Sequence, residues 1–214
     1  GSDNIPCRYV LGDIFHAQPQ VLASPANFAY FQENLCGAPP EPGQPNNCVD
    51  PEEFSSAAEM STRGYKEYVR RSGWKRRMLA SATNDGQIHF FDAGVYTAIE
   101  DEDFGTIELF NDGTGYELFS YMPRMAMPIV RDQANGERHI YSMDGSPRLA
   151  DVFIDPVPDE LGVLDPTQRE WRSVLIGGLR EGGDVFDQTN DVRVFTSGYY
   201  ALDLTLPDQL EASE

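Results

Sequence analysis

Met78-Leu-Ala-Ser-Ala-Thr-Asn-Asp-Gly-Gln-Ile-His-Phe-Phe-Asp92 is the stretch that decides the fold. An apolar run of strand length leads into Asn84-Asp85-Gly86, then an aromatic run closed by Asp92. Asn-Asp-Gly between two such runs predicts a tight antiparallel hairpin, because these residues tolerate the backbone conformations a short turn demands. The plan recurs downstream in Ser173-Val-Leu-Ile-Gly-Gly-Leu179 and, after an insert, Gly198-Tyr-Tyr-Ala-Leu-Asp203. Leu79 and Leu175 are 96 residues apart. That is two periods of about 48, and four-stranded propeller blades recur at roughly 40–50 residues. The echo therefore predicts blades, with one more between the two; a β-sandwich is the alternative.

Working outward, further runs of strand length are Gln87–Phe91 within the quoted stretch, Tyr116–Tyr121, His139–Met143 and Leu149–Ile154. Turn clusters at Asn111-Asp112-Gly113 and Asp144-Gly145-Ser146-Pro147 separate them. Residues 8–22 read as one or two short strands broken near Gly12 and Pro19. Met122 to Val130 reads as a short helical excursion, with Pro123 in its first turn. One good helix is predicted, from Glu53 to Arg71, as an insert over about 53–72. Phe54, Ala58, Tyr65, Tyr68 and Val69 share one face at helical spacing. Arg70, Arg71, Lys75, Arg76 and Arg77 follow it, an arrangement that a helix C-terminus favours without any phosphate ligand.

The 214 residues suit one domain, and 40% hydrophobic residues are enough to bury a core. With 16 Lys+Arg against 35 Asp+Glu the net charge is −19, which argues against nucleic acid and against an anionic membrane surface. No run of 18 apolar residues is present, so membrane insertion is not expected. No signal peptide is legible, and Gly1-Ser2 reads as a cloning scar with an upstream signal or domain expected before it. Cys36 and Cys48 bracket a Pro/Gly/Asn loop that lacks the further ligands zinc requires. A disulfide closing that loop would stabilise by roughly 3 kcal/mol and implies an oxidising compartment. Two free thiols in a cytosolic loop are the alternative, and Cys7 is left unpaired, buried or bonded to a lost partner.

Candidate chemistry is sparse. Glu100-Asp-Glu-Asp103 reads as a solvated acidic loop, since four consecutive acids cannot all face one ion. Asp184, Asp187, Asn190 and Asp191 are better spaced, and on a bent loop they would converge on calcium, although no EF-hand register fits. His16, His89 and His139 fall one per predicted strand and read as hydrogen-bonded structural residues. Asp92, Asp144 and Asp203 read as turn caps through backbone amides. Nothing places Asp13 and Asp144 together as a catalytic pair. No nucleophile elbow, phosphate loop or dinucleotide fingerprint occurs.

Six phrases in order resemble one known family: Leu11-Gly-Asp-Ile-Phe-His16 with Pro19; Ala82-Thr-Asn-Asp-Gly-Gln-Ile-His-Phe-Phe-Asp-Ala93; Gly115-Tyr-Glu-Leu-Phe-Ser-Tyr-Met-Pro123; Met143-Asp-Gly-Ser-Pro147; Trp171-Arg-Ser-Val-Leu-Ile-Gly-Gly-Leu179; and Gly198–Asp203. They are similar to the propeller of PilY-type proteins, pilus-associated proteins of type IV pili. The resemblance spans residues 8–205. It implies a mainly β fragment over 1–214 holding the first blades of a quinoprotein-like propeller, with inserts at 37–50, 95–112 and 181–197. It further implies a non-enzymatic role in pilus assembly and surface adhesion, outside the cell, with pilin or minor pilins and a host or abiotic surface as partners. Calcium is often bound in the family, but its Asp-rich loop is not recognisable here. The rival is a fragment of a pyrroloquinoline-quinone dehydrogenase. That class's Ala-x-Asp-x-x-x-Gly-x-x-x-Trp docking repeat is missing, and Trp74 and Trp171 are the only tryptophans. A structural β-domain without a ligand is the third reading.

Overall fold

The computed structural model describes residues 11–23, 30, 64–103, 105–134, 139–155, 162, 169–180, 184–187, 192–195 and 197–207. The quoted stretch forms the expected hairpin. Strands β2 (Arg77–Ala82) and β3 (Ile88–Gly94) pair antiparallel, and the Thr83 amide donates to the Gln87 carbonyl at 3.0 Å to close the turn. Gly86 sits at φ +87°, and a Cβ there would meet Val130 Cγ2 at 2.3 Å, so only glycine fits.

β1 (Gln20–Leu22) pairs with β2, and β6 (Glu117–Tyr121) pairs with β3, giving a four-stranded antiparallel sheet in the order β1-β2-β3-β6. A separate hairpin of β4 (Tyr96–Asp101) and β5 (Gly105–Phe110) is inserted between β3 and β6. The second sheet contains β7 (Arg148–Ile154), β8 (Glu170–Gly178) and β11 (Tyr199–Asp203) in the order β11-β8-β7. It too carries an inserted hairpin, of β9 (Asp184–Asp187) and β10 (Val192–Phe195), between β8 and β11.

The two sheets are copies of one plan. Leu22 pairs with Met78 and Met78 with Asp92; in the second sheet Ala150 pairs with Val174 and Val174 with Asp203. Arg76 bonds Asp92 at 2.8 Å, and the equivalent Arg172 bonds Asp203 at 3.1 Å. The bond closing the first hairpin has its counterpart in Leu179 N to Gly198 O, 3.3 Å, across the β9–β10 insert. One expectation is corrected. No further sheet lies between the two among the described residues; β6 and β7 are separated by a 3-10 turn (Arg124–Ala126) and helix α2 (Met127–Ala134). The spacing of 96 is therefore a single step, lengthened by the β4–β5 hairpin and this helical segment.

The sheets pack face to face on one core, in which Met78, Ile88 and Phe90 of the first meet Leu175 and Tyr200 of the second, with Ile129 of α2 at its side. Of the expected helix 53–72, α1 (Tyr65–Ser72) is described; Phe54 and Ala58 lie outside the described residues. α1 buries Tyr65 and Tyr68 against Trp171, as its helical face requires.

Two other expectations are corrected. His139–Met143 is not a strand. Ile140, Ser142 and Met143 are buried, but the Ile140 carbonyl accepts from Gln133 of α2 and the Ser142 hydroxyl donates to the Asn84 carbonyl, so their bonds go to a helix and a turn and not to a strand. The acidic loop at 100–103 is instead the tip of the β4–β5 hairpin, with Asp101 opposite Gly105. The inserts 95–112 and 181–197 thus contain paired strands; insert 37–50 lies outside the described residues.

Candidate functional site

The loops at one end of the two sheets gather all three histidines, and each is held by carboxylates. His16 Nδ1 is 2.5 Å from Asp144 Oδ2 and its amide donates to Asp144 Oδ1 at 2.9 Å. His139 Nε2 lies 2.9 Å from Asp13 Oδ1. His89 has Nδ1 at 2.6 Å from Glu117 and Nε2 at 3.0 Å from Asp85. Only His89 is in a strand; His16 and His139 lie in loops, which corrects their assignment to strands. Asn84 links two of these groups, donating through Nδ2 to Asp13 at 2.9 Å from the turn that also carries Asp85.

Asp144 is the anchor of this end. Its side chain is 1% exposed and also accepts from Arg180 at 2.6 Å. Burial alone would raise its pKa, but the bonds from His16 and Arg180 outweigh burial and hold the carboxyl below its ordinary range. Arg180 reaches it from φ +59°, a left-handed conformation that costs a non-glycine residue about 1 kcal/mol. His16 and Asp144 are equivalent positions of the two copies, each three residues before the proline that opens β1 or β7. Above this network Phe15 is 59% exposed and lies 5.1 Å from Tyr141, whose ring is 4.9 Å from His139. The result is an exposed aromatic patch on an acidic floor. It suits contact with another surface.

A second polar group lies inside the fold. Ser173 receives bonds from Lys75 and, at 3.3 Å, donates to Asp151, while the Tyr68 hydroxyl is 2.5 Å from it. Tyr65 and Tyr68 both donate to Asp151, at 2.6 and 2.9 Å. A serine beside a lysine whose burial pushes its pKa down to about 8 is a nucleophile–base pairing in outline. Ser173 is 1% and Lys75 7% exposed, so both are shielded from solvent. The group is a sealed polar layer joining α1 to the second sheet. The sequence offered a basic cluster at 70–77; the structure disperses it, with Lys75 buried, Arg76 on Asp92 and Arg77 stacked 3.7 Å over Phe110.

Asp184 and Asp187 are the first and last residues of strand β9, not parts of a bent loop. A strand's rise sets their Cα atoms about 10 Å apart. Asp191 lies outside the described residues, as do Cys36, Cys48 and Cys7. Among the described residues no three His, Cys, Asp or Glu side chains are grouped to hold a metal. Asp13 and Asp144 are each engaged by a different histidine, His139 and His16. Two of the three expected turn caps hold, Asp92 accepting from the Thr114 amide at 2.9 Å and Asp203 from the Thr205 amide at 2.9 Å, whereas Asp144 accepts from the distant His16 amide. No described helix is long and apolar enough to cross a membrane.

Over 204 residues, 94% of the chain, the sequence is 28% identical to a type IV pilus biogenesis factor PilY1 homolog of Xylella fastidiosa. Over 216 residues, 98% of the chain, it is 25% identical to the type IV pilus biogenesis factor PilY1 of Pseudomonas aeruginosa. Over nearly its whole length the chain is similar to PilY-type proteins. A further Xylella fastidiosa PilY1 homolog matches at 30% over 110 residues, 51% of the chain and 6% of that protein. The chain spans only about a tenth of the first two relatives, 11% and 12% of their lengths. No family model and no solved structure matches it. The PilY-type phrases occupy structurally matched places. Met143–Pro147 leads into β7, as His16–Pro19 leads into β1, and Trp171–Leu179 and Gly198–Asp203 build the β8–β11 ladder.

Proposed function

We propose that the chain is a non-enzymatic, contact-making part of a type IV pilus biogenesis protein. In this reading it is exported through the periplasm to the cell surface, where it engages pilin or minor pilins and a host or abiotic surface. Residues 1–214 would form the first blades of a PilY-like propeller. The observation that carries the reading is the pair of inserted hairpins. Each blade-like sheet keeps its own ladder on the shared core, while β4–β5 and β9–β10 form separate two-stranded sheets. Loops and hairpins displayed on a fixed scaffold are where recognition concentrates. Ile99 and Leu109 of the first hairpin are 47% and 38% exposed, which gives it apolar contact area. The sealed state of Ser173 and Lys75 supports contact over turnover.

The quinone-dependent dehydrogenase reading is disfavoured by the tryptophans. Trp171 is buried among Tyr65, Tyr68 and Phe153, so its ring is not open to stack a quinone, while Trp74 already stacks on Tyr96 at 4.4 Å through one face. Deleting the 37–50 loop and the 181–197 insert together is expected to abolish binding to purified pilin or to a test surface while the melting temperature is retained. Undiminished binding would defeat the insert-based mechanism. Measurable dye reduction after adding pyrroloquinoline quinone and calcium would overturn the non-enzymatic reading. Export also sets an expectation for Cys36 and Cys48, a bridge between them. Mass spectrometry of non-reduced peptides checks it, and recovery of both cysteines alkylated without reduction excludes it.

A further inference from the structure

The β4–β5 hairpin is a two-stranded sheet that shares no ladder with its neighbours. A hairpin of two strands is marginal by itself in water, so its own pairing is not enough to hold it in one direction. Two ring contacts grip its base. Tyr96 and Phe110 are its first cross-strand pair, with ring centroids 5.6 Å apart. Trp74, between α1 and β2, lies 4.4 Å from the Tyr96 ring, and the Arg77 guanidinium sits 3.7 Å over Phe110. The Arg77 Nε is buried without a hydrogen bond, which leaves the Phe110 face as its partner. Below these contacts the two chains meet in a tight neck. The Val95 and Gly113 amides both donate to Asn111 Oδ1, at 2.9 and 3.0 Å. Gly94 there is at φ +126°, and a Cβ on it would meet the Asn111 carbonyl oxygen at 2.3 Å.

The second sheet lacks both the grip and an insertion at this point. Val174 stands where Met78 does, an offset of 96, so Glu170 and Ser173 occupy the places of Trp74 and Arg77. Neither can stack on a ring; Glu170 bonds Arg172, and Ser173 belongs to the polar layer with Asp151. In the first sheet Asp92 accepts from the amide and hydroxyl of Thr114, both at 2.9 Å, with the hairpin lying between acid and cap. In the second, Asp203 accepts the same two bonds from Thr205, only two residues on, at 2.9 and 2.5 Å. The gripping residues occur in the copy that carries a hairpin between acid and cap, and are missing from the copy that does not.

We propose that Trp74 and Arg77 are positioning residues for β4–β5, fixing its direction on the first sheet so that it is presented as a pre-aimed arm. Strand alternation puts Ile99, Ile107 and Leu109 on the face turned away from the grip, so Trp74 and Arg77 decide where that apolar row points. The inference rests on the reading of the hairpins as contact segments, for which a fixed arm removes an ordering cost from binding. Every group involved lies within residues 74–113, so the arrangement is independent of what packs around it.

Residual dipolar couplings and amide hydrogen exchange on the 214-residue chain test this with no partner present, so its failure is distinct from a failure to bind pilin. Couplings of amides 96–110 in the wild type are expected to fit the alignment of the β2–β3 ladder. Trp74→Ala with Arg77→Ala should shrink those couplings and speed exchange in the hairpin about tenfold, the combined worth of two such ring contacts. Amides of Leu79–Ala82 and Ile88–Phe91 should keep both values. Trp74→Phe retains a ring for Tyr96 and should keep the wild-type couplings, whereas Trp74→Leu should lose them. Wild-type hairpin couplings that do not fit the ladder's alignment overturn the proposal. So does a double variant whose hairpin couplings and exchange are unchanged, or a Trp74→Leu that behaves as Trp74→Phe. Trp74 is 55% exposed, so if the double variant does not fold, Trp74→Ala alone carries the same test.

Discussion

Replacing Asp144 with alanine is expected to destabilise the fold by about 3 kcal/mol, roughly 6–12 °C in melting temperature. The carboxylate is buried and accepts from the His16 amide, the His16 ring and Arg180. Charge-assisted bonds contribute about 1.5–3 kcal/mol each when removed singly, but these three share one acceptor and do not add. His16 and Arg180 are both partly exposed, at 43% and 45%, so water takes over as their partner and limits the loss. The pH dependence has a definite sign. A carboxyl whose folded pKa lies below its ordinary 3.8 stabilises above that value, and the contribution disappears as pH falls through the lower folded pKa. Thermal melts between pH 2 and 7 should therefore show a smaller acid loss in Asp144→Ala than in wild type. Asp13 and Asp92 are depressed too, and keep the remainder of the acid transition. Equal melting temperatures for the variant and wild type at pH 7 would show that the two sheets are not tied together through this residue.

Stability is expected to rise, not fall, between pH 8 and about 10. Burial lowers Lys75 to about 8 from an ordinary 10.5, against the opposing pull of Asp151 and Asp203. In that window the unfolded chain binds a proton that the folded chain does not, so raising the pH favours folding, by roughly 2–3 kcal/mol at most. Above about pH 10 the sign reverses. Burial raises the hydroxyls of Tyr68 and Tyr200, and the folded chain then holds protons that the unfolded chain has released. A maximum near pH 10 in chemical denaturation midpoints checks both signs. Lys75→Met should remove the rise and leave the decline. A flat wild-type profile from pH 8 to 10 would mean that Lys75 is not held in the polar layer as described.

The hairpin at 78–92 was legible because its turn chemistry and its strand pattern agree, and local signals of that kind need no distant partner. The β7, β8 and β11 strands were legible for the same reason. The histidine pairs were not. His16 and Asp144 are 128 residues apart, and no spacing rule links them. One signal was present in hindsight: His16 and Asp144 each precede a proline by three, in Pro19-Gln20-Val21-Leu22 and Pro147-Arg148-Leu149-Ala150, so aligning the two copies sets them side by side. Lys75 was read as part of a surface basic cluster because its neighbours are arginines, whereas Ser173 and Asp151 that bury it come from the second sheet. The 95–112 insert was read through its acids. The alternation of Thr97 to Ile99 and Thr106 to Leu109 around them was the available strand signal.

The bond from Leu179 N to Gly198 O has a consequence for how such a chain diverges. It fixes the two ends of the β9–β10 segment at hairpin distance, and the amide of Asn111 does the same for β4–β5 by donating to the Val95 carbonyl at 3.1 Å. Apart from Arg180, which holds Asp144, what lies between those points can be lengthened, trimmed or exchanged without shifting the pairing of the neighbouring strands. Substitution can run freely in the displayed segments while the ladder beneath stays in register. A foreign peptide spliced between Arg180 and Gly198 would inherit a rigid mount and leave Arg180 on Asp144, making this position a natural graft site.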